Sequence, residues 1–184
     1  PALLYNLWLP LRTCYQIYLF AVTLATCAIA YYSFAKIAAS RRLGLLGALL
    51  YTLSCYRLVC VYTRAAAGEF TAMAFFPLVL AGLYGIYTRD KPRFADWLPM
   101  SLGMAAMVQS HLLSCELTAL LLILFCLLRL RETLRPARLL AWVKAALLAV
   151  GLSAWYLVPF FLSTSSIPFM VNGPLIGKIQ FQGL

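Results

Sequence analysis

The chain has 184 residues, of which 64% are hydrophobic and only 11% charged. A water-soluble domain of this size cannot bury so many apolar side chains, so a soluble enzyme is excluded; at roughly 20 mostly apolar residues per bilayer crossing, the content suffices for roughly six spans. The net charge of +10 comes from 15 Lys and Arg against 5 Asp and Glu, and its short basic runs between apolar stretches look like topology signals. No nucleic-acid partner is expected.

No charged leader with a short apolar core and cleavage site opens the chain, which starts at Pro1, so the expectation is an internal piece of a longer membrane protein. Residues 1–10 (PALLYNLWLP) are apolar but too short to cross, and suit an interfacial approach. Residues 13–35 carry no charge and are long enough for a first span, ending at Lys36, Arg41 and Arg42. A second apolar run, 43–62, is interrupted by Arg57; a third, 70–87, contains Pro77, which membrane helices tolerate when neighbours satisfy the freed carbonyl. Between them lies TRAAAGE, 63–69. Residues 88–96 (TRDKPRFAD) form a basic turn stopped by Pro92.

Residues 97–130 are too long for one crossing, because 34 residues of helix reach about 51 Å against a roughly 30 Å hydrocarbon core. Their polar residues (Gln109, Ser110, His111, Ser114, Glu116) all sit in the middle, which predicts two antiparallel helices with a tip near His111. Arms of 97–109 and 116–130 are too short to cross fully, so the tip is expected below the outer surface. Residues 139–162 make the last crossing, with Pro159 near its end, and 163–184 form a polar tail. The fold class is therefore all-α: one polytopic transmembrane bundle over residues 1–184 with about six crossings. Basic loops near 36–42, 89–96 and 129–138 share one side, expected to be cytoplasmic; Arg12, Arg57, Arg64 and Lys178 lie on the other.

Two features carry possible chemistry. Arg57 and Arg64 are seven residues apart, about two helical turns, and would share one face as a cationic patch close to Tyr56, Tyr62 and Glu69. Guanidinium forks onto phosphate oxygens, so such a patch suits a lipid-linked phosphate. Alternatively the arginines snorkel to headgroups, or Arg64 pairs with Glu69. His111 and Glu116 at the tip could line a cavity, although a lone His also serves as a helix cap. One His with one Glu is too few ligands for a metal site, and no cofactor is evident; a divalent metal is conceivable only with residues of the longer protein. The six cysteines form no C-x-x-C pair and read as small buried hydrophobes. Gly44 and Gly47 read as packing residues.

The segment ALLYTLSCYRLVCVYTRAAAGEFTAMAFFPLVLAGLY, followed by SHLLS and GLSAWYLVPFFL, resembles a bacterial integral membrane family labelled 6-pyruvoyl-tetrahydropterin synthase related, close to the YfhO-like membrane proteins. Such proteins are similar to GT-C glycosyltransferases. The resemblance implies transfer of a sugar from a polyprenyl-phosphate donor to a cell-envelope acceptor on the extracytoplasmic side of a bacterial plasma membrane. It places Arg57, Tyr62, Arg64, Glu69 and His111 at recurrent polar positions, as substrate-binding residues. Cys60 stands where the family often has an acid, and the acidic residue that GT-C enzymes carry in their first outer loop would lie upstream of Pro1. The catalytic residues are therefore not assigned within this chain. A transporter or flippase-like scaffold for lipid-linked substrates is the alternative.

Overall fold

The computed structural model describes residues 10–166, with side chains through 163. The expected interfacial segment up to residue 9 and the tail beyond 166, including Lys178, lie outside the described residues. Within them every regular element is helical: α1 (Leu11–Ala38), α2 (Arg41–Thr52), α3 (Cys55–Leu58) continuing into a π-helical turn (Val59–Thr63), α4 (Ala67–Thr88), α5 (Phe94–Ser110), α6 (Leu112–Leu128), α7 (Leu130–Thr133) and α8 (Pro136–Ser166). The all-α expectation holds. Three helices, α1, α4 and α8, are long and apolar enough to cross a membrane, and α2 with the α3–π segment makes a fourth if its 44° bend is allowed. Helices α5 and α6, with 17 residues each, sit at the lower length limit for a crossing.

Local chemistry explains where the chain turns. Ala39, in the left-handed region at φ 49°, ends α1, and Ser40 Oγ caps α2 by accepting from the Leu43 N–H at 3.4 Å. The reversal presses α2 onto α1 so closely that a Cβ at Gly44 would lie 2.5 Å from the Ala35 Cβ. Gly47 faces the Phe34 ring in the same way, as the packing role predicts. The α4–α5 pair is tighter still: a Cβ at Gly82 would lie 2.3 Å from the Met100 nitrogen and one at Gly85 2.5 Å from the Asp96 carbonyl. In lipid, where no hydrophobic force drives helices together, small residues let backbones approach until dispersion holds them.

Helix α4 is the centre of the bundle. Half of its apolar window is buried, against 22% for α1 and 11% for α8. Large apolar side chains instead face outward along α6 and α8, among them Leu120, Leu124, Leu127, Leu147, Val150 and Phe161. Water would not tolerate such faces, whereas hydrocarbon solvates them.

The predicted reversal at His111 is present. Ser110 lies beside Gly68 at one end of α4, while Phe125 packs edge-on against Tyr87 at the other end, ring centroids 5.0 Å apart. Thus α5 runs one way along α4 and α6 returns. The tip is level with the first turn of α4. The arms are longer than predicted because α5 starts at Phe94, where the Asp96 carboxylate accepts from the Arg93 N–H at 2.8 Å, and only His111 separates the two helices.

The three basic segments meet at one end. Ile37, Thr88 and Arg129 line a common crevice, and Arg138 donates to the Tyr87 carbonyl at 3.1 Å and the Arg89 carbonyl at 3.5 Å. The opposite end holds Arg57, Arg64, Glu69 and His111.

Candidate functional site at the sparsely charged end

Helix α2 breaks at Leu53 and Ser54, and α3 leads into a π turn in which the Arg64 N–H reaches the Val59 carbonyl at 2.9 Å. This wider turn moves Arg64 off the face that carries Arg57, so the shared patch expected from their seven-residue spacing does not form. Arg57 points inward and is only 1% exposed. Its Nη1 donates to the Phe70 carbonyl at 2.8 Å, while its Nη2 is buried with no hydrogen-bond partner. Arg64 points outward with half of its side chain exposed.

Ala65, at φ 49°, turns the chain back into α4 and brings Glu69 beneath Arg64. The Arg64 Nη1 to Glu69 Oε2 distance is 3.0 Å, with the carboxylate mostly buried. Tyr56 joins them: its hydroxyl donates to Glu69 Oε1 and accepts from Arg64 Nη1 at 3.5 Å. The bond that Arg64 donates to Tyr56 and the nearby carboxylate hold the guanidinium still more firmly in its charged form. Glu69 also sits in the first turn of α4, where the helix dipole favours an anion. Cys60, fully buried, lies 3.9 Å from Arg64 Nη1 through its sulfur.

His111 caps α6. Its Nδ1 accepts from the Ser114 N–H at 3.3 Å and lies 2.8 Å from Ser114 Oγ. A ring nitrogen that accepts from a backbone N–H carries no proton, which leaves the neutral ring's hydrogen on Nε2. The cap reading of this residue is therefore realised, and Nε2–H remains as a donor without a partner among the described residues. Gly68 permits this approach, since a Cβ there would lie 2.7 Å from the Ser110 carbonyl oxygen.

Tyr56, Glu69 and Ser114 border an open cavity of about 310 Å³ between α2, α3, α4, α5 and α6, lined also by Tyr51, Met107 and Thr118 among others. Of the five residues singled out in the sequence, Glu69 lines the cavity, Arg64 binds Glu69, and His111 reaches it through Ser114. Arg57 stays behind the α4 backbone. Tyr62 is 81% exposed and belongs to none of these contacts. Tyr56 takes the place expected of Tyr62, and Ser114 and Tyr51 were not foreseen as site residues; the π turn that swaps the tyrosines has no sequence signature. Glu116 is exposed and lines nothing here. No group of three or more His, Cys, Asp or Glu side chains gathers as a metal site among the described residues.

Fold and surface together define a helical protein with several helices long and apolar enough to span a membrane, as in multi-pass membrane proteins. Comparison with family models, curated proteins and solved structures finds no match.

Proposed function

We propose that this chain is a GT-C-like domain that helps transfer a sugar from a polyprenyl-phosphate donor to a cell-envelope acceptor at the extracytoplasmic face of a bacterial plasma membrane. The chain then crosses six times, with α5 and α6 as its short crossings. Charge supports the orientation: ten cations and three acids occupy the basic end, against Arg12, Arg57, Arg64, Glu69 and Glu116 at the other. Such a bias puts the basic end in the cytoplasm.

The observation that carries the substrate reading is the convergence of a mostly buried carboxylate, a tyrosine and a histidine-anchored serine on one cavity, with an exposed arginine bound to that carboxylate. A donor phosphate entering there competes with Glu69 for the Arg64 fork, which binds phosphate in two-pronged fashion. In the transfer, the deprotonated acceptor oxygen bonds to the anomeric carbon, the bond to the phosphate oxygen breaks, and polyprenyl phosphate leaves with the added charge. Arg64 meets that charge. A non-catalytic scaffold or flippase for lipid-linked substrates is the competing reading, and the closed Arg64–Glu69 pair is the observation in its favour.

The test uses the full-length protein in cells. Arg64→Gln should lower envelope glycosylation about tenfold or more at normal membrane abundance, the loss of one charge-assisted contact. Unchanged glycosylation removes the donor-binding role. In a cysteine-free background, single cysteines at 41 and 91 should resist labelling from outside while one at 64 reacts; the reverse pattern inverts the topology.

A further inference from the structure

The basic end holds more positive charge than its acids can answer. Arg129 and Arg138 share Glu132 at 2.6 and 3.2 Å, Arg135 and Arg138 share Asp90 at 3.1 and 3.8 Å, and Arg89 faces Asp96 at 3.6 Å. All three carboxylates of this end are thus committed. The charged groups of Arg41, Arg42, Lys91, Arg93 and Arg131 have no carboxylate oxygen within 4.0 Å among the described residues.

Directly beneath this charge lies a crevice of about 440 Å³ between the end of α1, the last turns of α4 and the last turns of α6. Its walls are apolar: Ile37, Leu80, Leu83, the Tyr84 and Tyr87 rings and Phe125. Its mouth is polar, with Thr88 and Arg129. Arg129 keeps more than half of its side chain exposed, and one oxygen of a shared carboxylate does not exhaust its five donors. An apolar slot capped by surplus cations, set between helices at one end of a bundle, matches one ligand chemistry: a hydrocarbon chain ending in a phosphodiester.

We propose that this crevice is a binding site for an anionic phospholipid of the leaflet at the basic end, with an acyl chain along Leu80, Leu83 and Phe125 and the headgroup phosphate at Arg129. The site lies at the opposite end of α4 from the Arg64–Glu69 cavity and does not depend on what binds there. Its occupant fills the gap between α1 and α6 on the surface of α4. A zwitterionic lipid offers the same hydrocarbon, but its cationic group opposes the surplus positive charge.

The full-length protein, purified in detergent and supplied with equal phosphatidylglycerol and phosphatidylcholine of matched chains, tests this by native mass spectrometry of retained lipid. Phosphatidylglycerol should be retained in preference, and Arg129→Gln should reduce that preference about fivefold, the effect of about one basic residue at an anionic headgroup. Leu80→Trp, which fills the half-buried wall of the crevice, should reduce retention of both lipids while leaving helical content unchanged. Arg131→Gln removes another exposed cation, one that does not line the crevice, and should leave the preference as in the wild type. Equal retention of the two lipids, or an Arg129→Gln variant with wild-type preference, overturns the proposal. Should Leu80→Trp fail to fold, the Arg129→Gln and Arg131→Gln pair decides alone, because both side chains are exposed.

Discussion

Each end of the bundle contains one buried arginine, and the two are coordinated very differently. Arg138, at the basic end, donates to the Tyr87 and Arg89 carbonyls, bridges Glu132 and Asp90, and lies 5.5 Å from the Tyr87 ring centroid. Its charge is compensated and nearly every donor is used. Arg57, at the other end, is more deeply buried yet holds one backbone carbonyl and leaves Nη2 without a partner. A saturated guanidinium ties segments together; an unsaturated one costs stability and is retained for some other reason. The first arginine joins the end of α4, the loop after it, α7 and α8. The second joins only α3 to the first turn of α4.

This difference predicts opposite responses to substitution. Arg138→Gln should be the most damaging change, because it unties four segments and leaves the carboxylates of Glu132 and Asp90 less compensated. A loss of about 3 kcal/mol is expected, at the low end of the range for broken buried pairs because Glu132 is one-third exposed. Thermal unfolding in detergent, followed by circular dichroism, measures it. Arg57→Met should change stability by less than about 1 kcal/mol, or raise it, since an apolar side chain of similar length removes a desolvated charge and an unpaired donor. The Phe70 carbonyl keeps its helical bond in α4. A collapse of the Arg57→Met variant equal to that of Arg138→Gln would mean that both arginines are staples.

The contrast also marks what the sequence made legible. The all-helical class, the reversal at His111, the gathering of three basic loops at one end and the packing glycines follow from period, length and charge placement, which act locally or add along the chain; of the six crossings expected, three helices, or four with the bent pair, have the length and apolar character of a span. The site was legible only in part. The pairing of Arg64 with Glu69 was visible as an alternative because five residues separate them. The burial of Arg57 and the exchange of Tyr56 for Tyr62 were not, because both depend on a bend at Leu53 and Ser54 and on one extra residue per turn between Val59 and Thr63. A heptad spacing presumes an unbroken α-helix, and that presumption failed there. The length of the two arms was not legible for a related reason: the polar run 110–115 between the expected arms reads as loop, although a single extended residue, His111, makes the whole connection and Ser110, Ser114 and Thr118 satisfy their hydroxyls on helical carbonyls or on the His111 ring.

The smallest effect is expected at Arg64, and it separates function from structure. Its guanidinium is half exposed, and water screens the attraction to Glu69, so the pair adds little to folding even though its geometry is good. Arg64→Gln should therefore leave the unfolding midpoint where it is, and raising the salt concentration should leave the wild-type midpoint equally unmoved. Glu69 retains the Tyr56 hydroxyl as donor and the positive end of the α4 dipole, so the carboxylate is not stranded. A midpoint that falls with this substitution as it does with Arg138→Gln would make the sparse end another structural clasp. An unchanged midpoint joined to lost glycosylation would assign Arg64 to the substrate, because no contribution to folding would remain to explain why an arginine stands there.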